Sequence, residues 1–424
     1  MHQGPLAGVR VLEFTQIIAG PFCCMLLSDM GAEVIKFEPI EGEPWRLFAE
    51  LVPKESRAFV SLNRGKRDVA LDMRRPEARE IIHRLVPSAD VIVINYRPGV
   101  AEQLGIDYET VRSINPRIIY CENTAFGRAG PMAMRGGYDI VVQAMTGLMA
   151  GEAKMQGEVP TFVHPAIADF ATGIQMASSV CAALYFRERT GKGQRIDTSL
   201  LGTSLAIQTS QFTWIDAWDA EVIPRMLEEL AQARAEKRSF LEQVEIRRRY
   251  RPLTTANIYY RVYQTADGFI AVGALSNPLR KKVLEATGLK DPRFRPDGSF
   301  ELNPPGWEEE GPKLVAEAEA LFRSKTTEEW GEILERHGVP NGPLYFVEEL
   351  FDHPQTHANG LVCELEHPIL GRIRMVGPAF QMSESPLAPQ GASPPLGADT
   401  DAVLAEAGYS PEAIGALREA GVIL

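Results

Sequence analysis

Residues 89–96 read ADVIVINY. Four β-branched residues stand together with no polar alternation between them. Such a run describes a strand buried on both faces, the setting of a parallel sheet covered by helices. PEAREIIHRLV (76–86), just before it, has the spacing of an amphipathic helix. GVRVLEF (8–14), EVIKFE (33–38), RIIYCENT (117–124) and GQRIDTSLL (193–201) read as further strands. Between the first two, Gly20-Pro21 places a proline at a helix start, FCCMLLSDM follows as the helix, and Gly31 ends it. This strand–helix rhythm predicts an α/β protein with a Rossmann-like parallel sheet. Ligands of such sheets bind beyond the carboxyl ends of strands. The loops TQIIAGP (15–21), NYRPG (95–99) and NTAFGRAGP (123–131) therefore become the candidate walls of a site.

Further along, the composition changes. The segment 221–255 is charged and helical, lacks a strong apolar stripe, and reads as a bridge between domains. Its Arg247-Arg248-Arg249-Tyr250-Arg251 run reads as a solvated helix end. YYRVYQTADGFIAVGAL (259–275) is a strand pair about Asp267-Gly268, and HPILGRIRMVGP (367–378) a second hairpin. The tail holds two short helices, with Ser410 a cap for the second. The expected organisation is a large domain begun by residues 1–220, a linker and small α+β domain at 221–325, and a return to the large domain at 326–424.

The bulk composition narrows the function. Of 424 residues, 45% are hydrophobic and 24% charged, the balance of a globular protein with an ample core. The net charge of −12 argues against nucleic acid as a partner. The five cysteines form no CxxC pair, which reads as reduced thiols and a cytoplasmic setting. No secretory leader is legible, and no apolar run approaches a membrane span. A Walker phosphate loop and a GxGxxG dinucleotide loop are missing, and Gly202-Thr203-Ser204-Leu205-Ala206 lacks the last glycine of a nucleophile elbow. His353 and His357 stand four apart but Pro354 intervenes, so no metal site is expected. The fold calls for a nucleotide-like ligand while the usual nucleotide motifs are absent.

One acid stands out, in HPAIADFATGIQMASSVCAALYFRERTGKG (164–193). Asp169 sits where a long helix should begin. The residue alone reads first as an N-cap, complementing the helix dipole; the functional alternative is an ionised nucleophile among small residues that leave room for a substrate. Phe170, Ile174, Ala177, Cys181 and Leu184 form the helix's apolar stripe, and Ala171, Gly173, Ser178 and Ser179 a small face fit for close backbone approach.

The chain resembles the class III CoA-transferases, the group of formyl-CoA transferase and carnitine CoA-transferase, whose fold α-methylacyl-CoA racemase shares. The resemblance runs nearly end to end. It rests on LAGVRVLEFTQIIAGPFC, GAEVIKFE, NRGKRDVALDM, ADVIVINYRPG, INPRIIY, GYDIVVQAMTGLM, the DFATG helix start, RERTGKGQRIDTSLL and HPILGRIRMVGP. It implies that Asp169 attacks an acyl-CoA, passing through an aspartyl anhydride and an aspartyl-CoA thioester before CoA moves to a free carboxylic acid. By family position the CoA contacts are Ile18 and Ala19; Leu71, Asp72, Met73 and Arg74; Asn95, Tyr96 and Arg97; and Gly136, Gly137, Tyr138 and Asp139. The resemblance also implies no permanently bound cofactor, coenzyme A and acyl-CoA acting as substrates, and an interlocked homodimer.

The sequence departs from formyl-CoA transferase in places. Ile18 stands where that enzyme has Gln, Pro39 where it has a basic residue, and Gly136 where it has Lys, with Arg135 adjacent. Its loop of consecutive glycines has no counterpart between 221 and 275. These departures speak against formyl-CoA and oxalate as substrates. A racemase would carry His where Tyr138 stands, and a phenol of ordinary pKa near 10 is a poor base. A non-catalytic acyl-CoA binder would not need Asp169. Trp214 and Trp218 read as core or interface packing and, with Met145 and Met149, as candidates to line an apolar acyl pocket.

Overall fold

Six segments pair side by side: β1 (Arg10–Phe14), β2 (Glu33–Glu38), β3 (Lys66–Ala70), β4 (Val91–Ile94), β5 (Ile119–Thr124) and β6 (Gln194–Ser199). In the computed structural model, which describes residues 4–251 and 257–424, they form one sheet in the order β6-β5-β4-β1-β2-β3. Every neighbouring pair is parallel. The chain starts at the centre, runs to one edge through β2 and β3, returns beside β1 as β4, and continues to the other edge. The reversal lies between β1 and β4, so their carboxyl ends open a crevice.

Both faces of the sheet are covered, as the ADVIVINY run requires. Val11 pairs with Val34 and Val91, and Leu12 with Ile35 and Ile92. Successive residues alternate faces. The valine layer packs on α1 (Ala19–Asp29) through Cys23, Cys24 and Leu27. The Leu12 layer packs on α2 (Pro76–Leu85) and on the C-terminal helices Thr400–Glu406 and Pro411–Glu419. Ser410 caps the last of these by accepting from the Ala413 N–H, as expected.

Two further helices shape the site, α3 (Asp139–Met145) and α4 (Ile167–Thr190). The buried stripe of α4 differs from the expected one. Ile174 is exposed, and the buried face runs through Asp169, Thr172, Gly173, Met176, Val180 and Ala183. Ala177 and Leu184 of the expected stripe are buried, and α1 meets α4 at Gly173 and at Phe170, whose ring packs edge-on against Phe22. A Cβ on Gly173 would stand 2.8 Å from the Ala19 carbonyl oxygen and 2.9 Å from the Phe22 ring. Although its composition would allow α4 to cross a bilayer, half of its apolar window lies inside this core.

Contacts divide the described residues into one unit of 4–217 with 354–424 and a second of 218–353. In the second unit, Tyr260–Gln264 and Phe269–Gly273 form the antiparallel pair about Asp267-Gly268, joined by Asn341–Pro343. The helix Thr327–Arg336 belongs to this unit as well, because Trp330 stacks on Phe322 in its core. The bridge segment forms helices Asp216–Ala235 and Phe240–Tyr250, with a small core of Met226, Leu230, Ala233 and Ile246. Residues 252–255 of that segment lie outside the described residues. Arg248, Arg249 and Arg251 are ion-paired with Glu245, Glu229 and Asp219.

The α1–α4 contact is testable. Gly173→Ala should destabilise the protein by about 1–3 kcal/mol, because backbone rather than a flexible side chain must yield. A lower midpoint in urea at unchanged slope is the expected result.

Candidate active site

The crevice between the ends of β1 and β4 holds a cleft. Its walls are the loop after β1 (Gln16, Ile17, Ile18), the loop after β4 (Asn95 to Pro98), the end of β5 (Asn123 to Ala125), and residues 135–138. Asp169, at the start of α4, closes the far side. A second cleft, walled mainly by apolar side chains, opens on the other flank of Asp169. Ile17, Ile18, Tyr138 and Asp169 line both. The carboxylate therefore stands where two differently built clefts meet.

The cap reading of Asp169 is not what the helix uses. The N-cap position is Ala166, and Asp169 is the third helical residue. The capping acceptor comes from elsewhere in the chain. One oxygen of Asp139 takes the N–H groups of Ala168 and Asp169, at 2.8 and 3.2 Å. Its other oxygen takes the Gln143 amide at 2.5 Å, and Gln143 is in turn fixed to the Val163 backbone. The Asp169 carboxylate makes no hydrogen bond among the described residues, yet it is only 8% exposed. Burial, with the nearby Asp139 charge adding to it, raises its pKa from 3.8 to about 7. Asp169 is thus a buried carboxylate that plays no part in capping its own helix.

The loop after β1 is held from below. Ile17 has φ of 72°, a left-handed conformation that a β-branched residue adopts at a cost of about 1–3 kcal/mol. Its N–H donates to Glu43 at 2.7 Å. Glu43 is buried against Lys36, 3.0 Å away, and Lys36 also meets Glu13 and the Thr15 carbonyl. Burial alone would lower the Lys36 pKa, but Glu13 and Glu43 outweigh it and hold it above the ordinary lysine value. Asn95 ties the same loop from the side, accepting from the Gln16 N–H and donating to its carbonyl.

The other residues singled out from sequence fall into groups. Ile18, Asn95, Tyr96, Arg97, Gly136, Gly137 and Tyr138 line the first cleft with Asp169. Burial raises the Tyr96 phenol to about 12. Arg97 lies against Gly136, where a Cβ would meet its Nε at 3.1 Å. Ala19 is buried at the start of α1, and Asp139 is engaged as the cap just described. The structure does not bring residues 71–74 to either cleft. Leu71 is in the core, and Asp72 is ion-paired with the exposed Arg74. They follow the carboxyl end of β3, at the same end of the sheet. Trp214 and Trp218 are exposed rather than packed, and with Met145 and Met149 they line neither cleft.

Arg135, noted in the sequence as the basic neighbour of Gly136, also lines the first cleft, whereas His164 and Glu43 were not legible there. Neither Arg97 nor Arg135 has a carboxylate partner among the described residues. His164 lines the second cleft beside Asp169. Glu43 carried no local signal, because its partner lies in the backbone of another loop. Among the described residues no cluster of His, Cys, Asp and Glu is arranged to hold a metal ion.

Comparison with known proteins fits this geometry. Residues 6–400 match the family model described as CoA-transferase family III. The chain belongs to that family. It is 33% identical over 422 residues to the human succinyl-CoA:glutarate CoA-transferase, spanning 99% of this chain and 90% of that protein. It is 30% identical over 440 residues to the formyl-CoA:oxalate CoA-transferase of Rhodopseudomonas palustris, spanning 98% and 96%. The crystal structure of a CAIB/BAIF family protein from Brucella suis superimposes with a TM-score of 0.73 at 28% identity, covering 96% of this chain and all of that one. The chain is thus a class III CoA-transferase, an enzyme that moves CoA.

The Asp169 environment of this CoA-transferase has a measurable cost. Its folded-state pKa lies above the unfolded value near 3.9, so the charged form is penalised only in the folded protein. That penalty is absent at pH below about 4, grows as the pH rises to about 7, and is then constant. Asp169→Asn should therefore stabilise the protein by roughly 2–4 kcal/mol at pH 8 and by clearly less at pH 5. Denaturant melts of both proteins at the two pH values check this.

Proposed function

We propose that this enzyme transfers CoA from an acyl-CoA to a free carboxylic acid through covalent intermediates on Asp169. The observation that carries the reading is the buried, unbonded Asp169 carboxylate at the junction of two clefts. An Asp169 oxygen attacks the thioester carbonyl, the C–S bond breaks, and CoA leaves as thiolate from a mixed anhydride. The thiolate attacks the Asp169 carbonyl of that anhydride and releases the first acid as carboxylate. The incoming carboxylate then attacks the aspartyl-CoA thioester, and the thiolate finishes on the new acyl carbon, restoring the Asp169 carboxylate. No net proton moves, so the cycle needs no general base, and neither Tyr138 nor His164 has a role in it.

Several features support the parts of this scheme. Burial raises the energy of the ionised Asp169 carboxylate, and attack on the thioester relieves that penalty. The first turn of α1 has no side-chain cap; Pro21 lacks an N–H and that of Phe22 goes to the Ile18 carbonyl, which leaves the N–H groups of Ala19 and Gly20, next to Ile18, which lines both clefts. They are suited to the oxyanions that form at the thioester and anhydride carbonyls. Arg97 and Arg135, unpaired at the wall of the first cleft, are suited to the CoA phosphates. The Gly136–Tyr138 wall extends that surface for the nucleotide end. The donor and acceptor acids of relatives differ in their names, glutarate in one and oxalate in another, so relationship alone does not choose the acid. The family resemblance carries with it an interlocked homodimer and no permanently bound cofactor, and the cysteine usage argues for a cytoplasmic setting.

Intact-mass spectrometry after incubation with a panel of acyl-CoAs, with hydroxylamine trapping and peptide mapping, tests the chemistry. A CoA-dependent adduct on the Asp169 peptide is expected, and none in Asp169→Asn. Exchange of the acyl α-proton with solvent, lost in His164→Ala and without any adduct, would overturn the reading in favour of a racemase. A second test addresses the nucleotide end. Arg97→Ala and Arg135→Ala should each raise KM for acyl-CoA roughly 10-fold or more, the worth of a charge-assisted hydrogen bond, with little change in kcat. The wild-type KM should also rise with salt.

A further inference from the structure

The two clefts flanking Asp169 differ in charge, and that difference bears on which acid the enzyme uses. The second cleft, about 720 Å³, is walled by Trp45, Phe48, Leu62, Ile140, Phe162 and Phe170. The rings of Trp45 and Phe48 stack at 5.0 Å, and Phe170 meets Phe22 edge-on at the same distance. No Lys or Arg is among the described residues that line it. Its polar groups are the side chains of Ser61, Tyr138, His164, Asp139 and Asp169 and the indole N–H of Trp45. Asp139 is spent on capping α4 and on Gln143, and the His164 ring packs edge-on against Phe162 at 4.4 Å. The nearby Arg46 is fully buried, ion-paired with Glu38 and Glu55 and covered by the Phe59 ring. Both unpaired arginines stand on the other cleft.

We infer that the acid exchanged by this enzyme is a monocarboxylate with a bulky apolar body, aliphatic or aromatic, and not a dicarboxylate. This rests on the proposed CoA transfer at Asp169. With the CoA end in the arginine-bearing cleft, the acyl body of the thioester enters the apolar one, and so does the free acid that replaces it. A methylene chain or ring there leaves water for aromatic walls. A distal carboxylate there would lose its hydration and find no cation, which disfavours its binding. The inference sets this chain apart from relatives named for glutarate and oxalate, which are both diacids.

Self-exchange measures acid preference without knowing the natural pair. Each acyl-CoA is incubated with its own acid in radiolabelled form, and label entering the thioester is counted. The series runs from acetate to octanoate, with phenylacetate, succinate and glutarate. Exchange efficiency should rise roughly three- to four-fold per added methylene while the cleft is filling, the value of one buried CH₂. Glutarate should fall about 10-fold or more below pentanoate, which has the same number of carbons. Ile140→Arg, at a half-exposed wall position, should reverse the order of that pair by supplying the missing cation. Phenylacetate above acetate would mark the aromatic arm of the class. A flat chain-length series, or glutarate above pentanoate in the wild type, overturns this inference while leaving CoA transfer intact. Absence of exchange with every acid, with no adduct on Asp169, overturns the proposed function and this inference together.

Discussion

The site depends on a lattice of buried charges under the carboxyl end of the central strand. Glu13, on β1, lies between Lys36 on β2 and Lys66 on β3, with no side-chain exposure at any of the three. Lys36 passes the contact on to Glu43, and Glu43 takes the N–H of Ile17. Removing one member of such a lattice leaves another charge buried without a partner, which costs far more than the pair contributes when intact. That cost locks the loop after β1 in a conformation its own residues would not choose. The left-handed backbone at Ile17 is the visible sign, and it aims Ile17 and Ile18 into the space beside Asp169. Helix α1 starts from the same loop, so its direction and its close approach to α4 at Gly173 follow from the same anchorage.

Above that lattice the structure divides tasks that one residue usually combines. Asp139, reaching across from α3, satisfies the first amides of α4, so Asp169 can occupy the helix start with no structural duty. Burial and the neighbouring Asp139 charge then raise the pKa of its carboxyl. The crevice also departs from the usual solution for its strand order. A glycine-rich turn commonly brings backbone amides to a phosphate at this point. Here Ile17, in a left-handed conformation, and Ile18 fill that turn, and Arg97 and Arg135 stand on the same cleft.

The layered sheet was legible because its strands are unbroken apolar runs and its helices begin or end at proline and glycine. RVLEF, EVIKF, VIVI and IIYCENT needed little beyond burial on two faces. The strand at Lys66–Ala70 was harder, since its residues are charged, and only the lattice explains why KRD can sit inside a sheet. The stripe on α4 was misjudged at Ile174, because α1 meets the helix at Gly173, where the neighbour's backbone demands smallness. At the site, local pattern could mark Asp169 but could not choose between cap and nucleophile. The choice turns on Asp139, thirty residues away, which competes for the same amides. The aromatic cleft was missed for a similar reason, since Trp45, Leu62, Ile140 and Phe162 share no spacing and meet only after folding.

The separation of cap from nucleophile also bears on how such a chain can diversify. A residue that carries chemistry but no structural load can be exchanged by a single substitution without unravelling the helix that presents it. Loss of the Asp169 carboxylate would leave a folded protein with both clefts intact, one still able to sequester a thioester. On the proposed mechanism, one substitution at Asp169 exchanges turnover for simple binding while the cap supplied by Asp139 stays in place.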